Sequence, residues 1–110
     1  MNYELGDIYF AHFPLEEDNS KFIDRPVIII VAEHPDLVVI KITKTAPRAN
    51  DPYDVPITYY KESGLKFPST ARVSKVITID RSQLLFKIGK LQSDDLEIVI
   101  AKLIEFSDNR

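Results

Sequence analysis

The chain of 110 residues contains no cysteine and no tryptophan, three glycines and one methionine. Without cysteine there are no disulfides and no thiolate metal sites, and a reducing cytoplasm is the expected compartment. No apolar run approaches the length needed to cross a bilayer, so no membrane partner is expected. The opening MNYELGD has no basic residue and no long apolar stretch, so it does not read as a signal peptide. Basic residues are absent from positions 1–20, which hold five acids. Positions 93–110 hold five acids and two bases, whereas 21–92 hold twelve bases against seven acids. The formal net charge of −3 argues against a general nucleic-acid coat, but the middle of the chain can still carry a local basic surface. Ser63, Ser69 and Ser74 lack a G-x-S-x-G context, and no His/Asp/Glu group has metal-ligand spacing, so no metal or cofactor is expected.

What is present is Val and Ile in short runs. Asp24 to Thr45 reads DRPVIIIVAEHPDLVVIKITKT. Val27–Ala32 and Leu37–Ile42 are strand-length and flank the turn Glu33-His34-Pro35-Asp36, which predicts an antiparallel hairpin. Arg25 enters the first strand, and Thr43, Lys44 and Thr45 leave the second, so both clusters fall at one end of the sheet. A guanidinium beside hydroxyls and an ammonium on a rigid sheet suits a phosphate. Arg25 suits an ion pair with Asp24 as well, and Thr43 suits a strand for its β propensity alone.

Around the hairpin, Gly6-Asp7 opens a strand that Pro14 ends, with apolar residues on both faces. Leu15–Ile23 is polar and long, and reads as a mobile flap over the Arg25 end. Three prolines make 46–56 a loop, and Pro56 puts the short strand Val55–Tyr59 at an edge. Tyr60–Leu65 reads as one helical turn closed by Gly64. Ser69–Asp80 is a long strand in which Ala71, Val73, Ile77 and Ile79 share one parity, with Lys75 marking a bend or bulge. Arg81-Ser82 turns the chain into a final strand, Gln83–Ile88. Ser93 is the expected cap of a helix ending at Phe106, with Leu96, Val99, Ile100, Leu103 and Ile104 as its apolar face. The sum is a mainly β domain spanning 1–110, with a C-terminal helix on a small SH3-like barrel.

Gly6-Asp7-Ile8 with Phe13-Pro14, Arg25-Pro26 before a Val/Ile run, and Ile42-Thr43 closing a strand follow one another in order. Gly64-Leu65, Pro68-Ser69, Thr78-Ile79-Asp80 and Ile88-Gly89-Lys90-Leu91 continue the series over about 85 residues. In that order and spacing the chain resembles the MazF/PemK family of bacterial toxins. The resemblance implies an SH3-like barrel, a homodimer, metal-independent cleavage of single-stranded RNA, and inhibition by a cognate antitoxin. It places Arg25 on the family's catalytic arginine and Thr43 on its catalytic threonine. The chain departs from the family in having no glycine in 15–23, in Lys41 before Ile42-Thr43 where several relatives have a small residue or proline, and in Lys75-Val76-Ile77 before Thr-Ile-Asp.

Given RNA as substrate, Lys44, Arg48, Arg72 and Lys75 are candidates to track its backbone. Tyr53, Tyr59 and Tyr60 are candidates for stacking on bases, whereas Phe67 reads better as core. His12 and His34 lie on a strand and in a distant turn and do not read as an acid–base pair. A gyrase poison of the CcdB type, which shares the fold, uses a tryptophan near its C-terminus that this chain lacks. A non-catalytic SH3-like binding module is the third reading.

Overall fold

The computed structural model describes residues 3–14, 20–33 and 35–109. Six strands form one sheet: β1 (Asp7–Pro14), β2 (Phe22–Ala32), β3 (Asp36–Thr43), β4 (Asp54–Pro56), β5 (Thr70–Asp80) and β6 (Leu84–Lys90). A 3₁₀ turn, Arg81–Gln83, joins β5 to β6, and helix α1 (Ser93–Asp108) follows. The strand order is β4-β5-β3-β2-β1-β6, every pair antiparallel. The expected β class with one C-terminal helix is present, with the sheet open between β4 and β6 rather than closed. Pro56 lies in the edge strand β4, where its missing donor costs no ladder bond.

Alternation along the Val/Ile runs sends side chains to two faces, and each face buries its own cluster. Ile8, Ile28, Ile40 and Ile42 join Ala71, Val73 and Val99 in one cluster, on which α1 packs through Leu96, Leu103 and Phe106. Tyr9, Ala11, Phe13, Val27, Ile29 and Val39 form the other. Both faces of β1 are therefore covered, as its two apolar sets require. Each fully buried Ile or Val contributes about 1.5–3 kcal/mol.

Three local expectations about the strands give way to the tertiary structure. β2 starts at Phe22, because β1 pairs with it as far as Pro14↔Phe22, so the connection between them is shorter than 15–23. Its residues 15–19, and His34, lie outside the described residues. β4 ends at Pro56, and Tyr59 belongs to the turn that follows. In β5, Ile40 pairs with Val76 but Lys41 with Arg72, so three extra residues, 73–75, bulge out around Lys75. An odd insertion reverses the alternation. Ala71 and Val73 therefore join the helix-side cluster while Ile77 and Ile79 join the other, despite their shared parity.

At the start of α1, Gln92 is the N-cap and makes no side-chain capping bond; Ser93 is already helical. Asp95 is buried, and its carboxylate accepts hydrogen bonds from Thr58 N (3.1 Å) and Tyr59 N (2.9 Å). The acid in the first turn thus staples the helix to the segment after β4. Ile104, expected on the apolar face, is 57% exposed. That segment closes at Gly64, whose φ of 95° suits a residue without Cβ. Gly89 of β6 packs against it so closely that a Cβ there would lie 2.1 Å from Ser63 O.

Candidate functional site

Arg25 and Thr43 share a face of the sheet. The β2–β3 register pairs Val27 with Lys41, and continued by two residues it sets Arg25 opposite Thr43. Arg25 has the parity of Val27, and its guanidinium carbon lies 5.9 Å from the centre of the Phe13 ring, a cation–π arrangement on the face away from α1. The Asp24 carboxylate, one parity off, is hydrogen-bonded to His12 Nδ1. The Thr43 hydroxyl accepts from Thr45 N at 3.3 Å and lies 3.4 Å from the Thr45 hydroxyl, so it sits at the mouth of a small turn. Thr43 pairs with Thr70, and Lys41 with Arg72, which extends a polar row from β2 across β3 to β5 and β4.

At the far end of this row Arg72 is an internal ion-pair partner, not a surface cation. It is 7% exposed. Its Nε donates to Asp54 Oδ1 at 2.7 Å and its Nη2 to Asp51 Oδ2 at 3.2 Å. Asp51 accepts in addition from Ser74 Oγ (2.8 Å) and Tyr53 N (2.9 Å). Burial pushes the Asp51 carboxyl up, but the Tyr53, Ser74 and Arg72 donors outweigh it and hold the carboxyl below its ordinary value. Burial likewise lowers Arg72, and its two carboxylates more than restore it, holding the guanidinium above its ordinary value. Arg48 belongs to the same network: its backbone N (3.0 Å) and Nη1 (3.3 Å) both donate to Asp54 Oδ2. These charges pin the 46–56 loop to the sheet.

The remaining candidates separate. Lys75 is half-buried in the β5 bulge. Lys44 is exposed, with its Nζ 4.8 Å from the centre of the Phe67 ring. Phe67, expected in the core, is 55% exposed. Both line a groove of about 490 Å³ with Phe10, Pro26 and Phe86, and Lys66 and Lys87 on its walls. Phe10 and Phe86 stack at 5.3 Å. Tyr53 packs edge-on against Phe106, and Tyr60 is half-buried against the helix-side core; Tyr59 is exposed. His12 stacks on Phe22 at 5.2 Å. By alternation it lies on the face opposite Arg25, so the two do not converge on one atom. Among the described residues no three His, Cys, Asp or Glu side chains group in a way that could hold a metal ion.

Residues 4–107 match the family described as PemK-like, MazF-like toxin of type II toxin–antitoxin system. The chain belongs to that family. Among curated proteins none matches. The toxin is similar in structure to the Mycobacterium tuberculosis toxin MazF-mt6, with 25% identity, a TM-score of 0.73, and coverage of 93% of this chain and 96% of that one. It shares its fold with MazF from Deinococcus radiodurans (15% identity, TM-score 0.78, 98% of each chain). It also shares it with an endoribonuclease in complex with its cognate antitoxin from Mycobacterial species (14% identity, TM-score 0.77, 99% and 98% covered). No helix among the described residues is long and apolar enough to cross a membrane.

Sequence reasoning about the toxin passed over two features. The aromatic groove draws Phe10, Phe67 and Phe86 from three distant segments, so no local pattern announces it. Lys41 was visible only as a departure from related sequences. Strand alternation, which puts it on the face of Arg25 and Thr43, was the signal available to find it.

Proposed function

We propose that the toxin is an endoribonuclease that cuts single-stranded RNA without metal, by attack of a 2′-hydroxyl on the adjacent phosphorus, with Arg25 and Thr43 at the reacting phosphate. Family membership supports the toxin reading, and relatives of the same fold are described as endoribonucleases. The observation that supports the site is the β2–β3 pairing, which ends at Val27↔Lys41 and leaves Arg25 and Thr43 two residues beyond it on one face.

The nucleophile belongs to the RNA. The protein has to align the attack, stabilise the added negative charge, and move protons. The Arg25 guanidinium is a planar fork that matches phosphate oxygens. Stacked on Phe13 and rooted in a strand, it is held in place before the charge develops, and such preorganised donors are worth the most. The Thr43 hydroxyl donates to a phosphate oxygen or accepts from the attacking hydroxyl. Lys44 and Lys75 supply weaker, salt-sensitive attraction to neighbouring phosphates. Arg48 and Arg72, neutralised by Asp51 and Asp54, act by fixing the loop beside the site.

We further infer that the chain is one toxin domain acting as a homodimer in the cytoplasm and is held inactive by a cognate antitoxin. Two relatives are described as toxin–antitoxin complexes. The exposed apolar groove, bordered by Lys44, Lys66 and Lys87, offers both apolar contact and positive charge to an acidic partner.

Wild type and Arg25→Ala, purified alike, are incubated with a long single-stranded RNA in EDTA and the new ends mapped. Discrete cuts by the wild type that fall about 10²–10³-fold in the variant support the proposal. Equal cutting by both removes Arg25 from the site, and no cutting by either overturns the free-RNA nuclease reading.

A further inference from the structure

Two phenylalanines stand open to solvent on the walls of one groove. Phe86, at 58%, is as exposed as Phe67, and both line the groove that Lys44 borders. Register builds one wall. Phe10 pairs with Phe86 on β6 and with Pro26 on β2, so Phe86, Phe10 and Pro26 form an apolar row across three strands. Phe67 faces this row from the segment that leads into β5, with the Lys44 ammonium held over its ring. Lys66 and Lys87 complete the rim, and Lys87 is shared with the buried Asp7 carboxylate, 3.5 Å away. Among the described residues no Asp or Glu lines the groove. Exposed apolar surface gathered in this way marks a binding site.

The surroundings say what binds. Pro26 follows Arg25 in the chain, and Lys44 follows Thr43, so the groove begins beside the proposed reacting phosphate. Alternation turns Pro26 to the face opposite Arg25. The two faces communicate at this end of the sheet, because β2–β3 pairing stops at Val27↔Lys41 and β3 ends at Thr43. An RNA strand with a phosphate at Arg25 can bend over the end of β3 and carry a neighbouring base into the groove. Aromatic rings below lysines match an unpaired nucleotide, whose base stacks on a ring while its phosphate meets an ammonium.

We propose that the groove is a nucleobase subsite, in which a base flanking the cut stacks on Phe67 and Phe86 while Lys44 and Lys66 meet the phosphates beside it. The inference rests on the RNA-cleaving reading of Arg25 and Thr43. Stacking tolerates any base, so the subsite supplies grip rather than the reading of one letter. Grip of this kind is the same before and during the reaction, so its loss shows in KM more than in kcat.

The test uses a short RNA that spans one mapped cut, made as a series in which each member lacks a single base and keeps an abasic sugar there. Wild type, Phe67→Ala, Phe86→Ala, Phe86→Leu and Arg25→Ala are compared on the series, after thermal melts verify folding. On intact RNA the alanine variants at Phe67 and Phe86 are expected to lose about 5–150-fold in kcat/KM, mainly through KM. Wild type is expected to lose a similar factor when one base beside the cut is removed. The two variants are expected to lose little more at that position, since ring and base act as a pair. Phe86→Leu keeps apolar bulk against Phe10 without a flat face, and is expected to behave like Phe86→Ala. Variants that cut intact RNA as wild type does overturn the proposal and leave the groove to the antitoxin. Slow variants that lose as much as wild type at every abasic position overturn it too, as does recovery of the wild-type rate in Phe86→Leu. In each of these cases Arg25→Ala is still slow and the parent reading stands. Failure of that reading looks different: Arg25→Ala cuts as wild type does, or wild type cuts no RNA, and either result takes the subsite with it.

Discussion

Arg25 and Arg72 lie on the same face of the same sheet, and the amino-acid sequence treats them alike, as single arginines in apolar strands. The structure gives them different work. Arg72, at the β4–β5 end, is buried and bonded to two carboxylates that come from one loop and one edge strand. Arg25, at the β2–β3 end, is half-buried and packs over Phe13 beside the end of β3. One end of the row spends its charge on holding a proline-rich loop. The other carries Arg25 and Thr43 on one face where the strands part. A guanidinium neutralised by two carboxylates inside the fold cannot also compensate a phosphate, so Arg72 belongs to the structure of the sheet, and the proposed chemistry is assigned to the Arg25 end.

The largest test of that division is Arg72→Ala. Removing one partner of a buried pair strands the other, and costs about 3–5 kcal/mol. Thermal unfolding should show a fall on the order of 15 °C or more, whereas Arg25→Ala should melt within a few degrees of wild type while losing cleavage. If the two variants melt alike, the division fails. The next effect is on pH. The Asp51 carboxyl is held below its ordinary value of 3.8, so its contribution is full above that value and is lost as pH falls through the lowered one. Urea titrations between about pH 6 and 2.5 should show stability falling at the acid end, less steeply in Asp51→Asn. An unchanged slope in that variant would assign the acid sensitivity to other carboxylates. The smallest effect contrasts the paired threonines. Thr43→Val keeps β propensity and loses one hydrogen bond, worth about 1 kcal/mol, so cleavage should slow about 5–10-fold. Thr70→Val, across the ladder on the structural side, should leave the rate of the folded enzyme unchanged.

Much of this protein lies within reach of short-range pattern. The hairpin of β2 and β3, the edge position of Pro56, the glycine-closed turn at Gly64, the bulge at Lys75 and the C-terminal helix all follow from residues within a few positions of one another. The same holds for the nearness of Arg25 and Thr43, because an antiparallel hairpin brings the start of one strand to the end of the next. Out of reach were the partners of Arg72, which lie 18 and 21 residues away, and the hold of Asp95 on Thr58 and Tyr59, which spans nearly 40. So was the reversal of faces along β5, since parity reveals that a bulge exists but not how many residues it contains.

By itself, then, the sequence determined the β class, the terminal helix, the kinship with the toxin family and the gathering of Arg25 and Thr43 toward one end of the sheet. Propensity and alternation are local, and a two-strand hairpin converts them directly into position. Only the tertiary structure decided which cations are spent inside the fold, that Phe67 faces solvent over a groove, and that Lys41 shares a face with Arg25 and Thr43. Those outcomes depend on register between strands far apart in the chain, where one inserted residue changes the face and with it the partner.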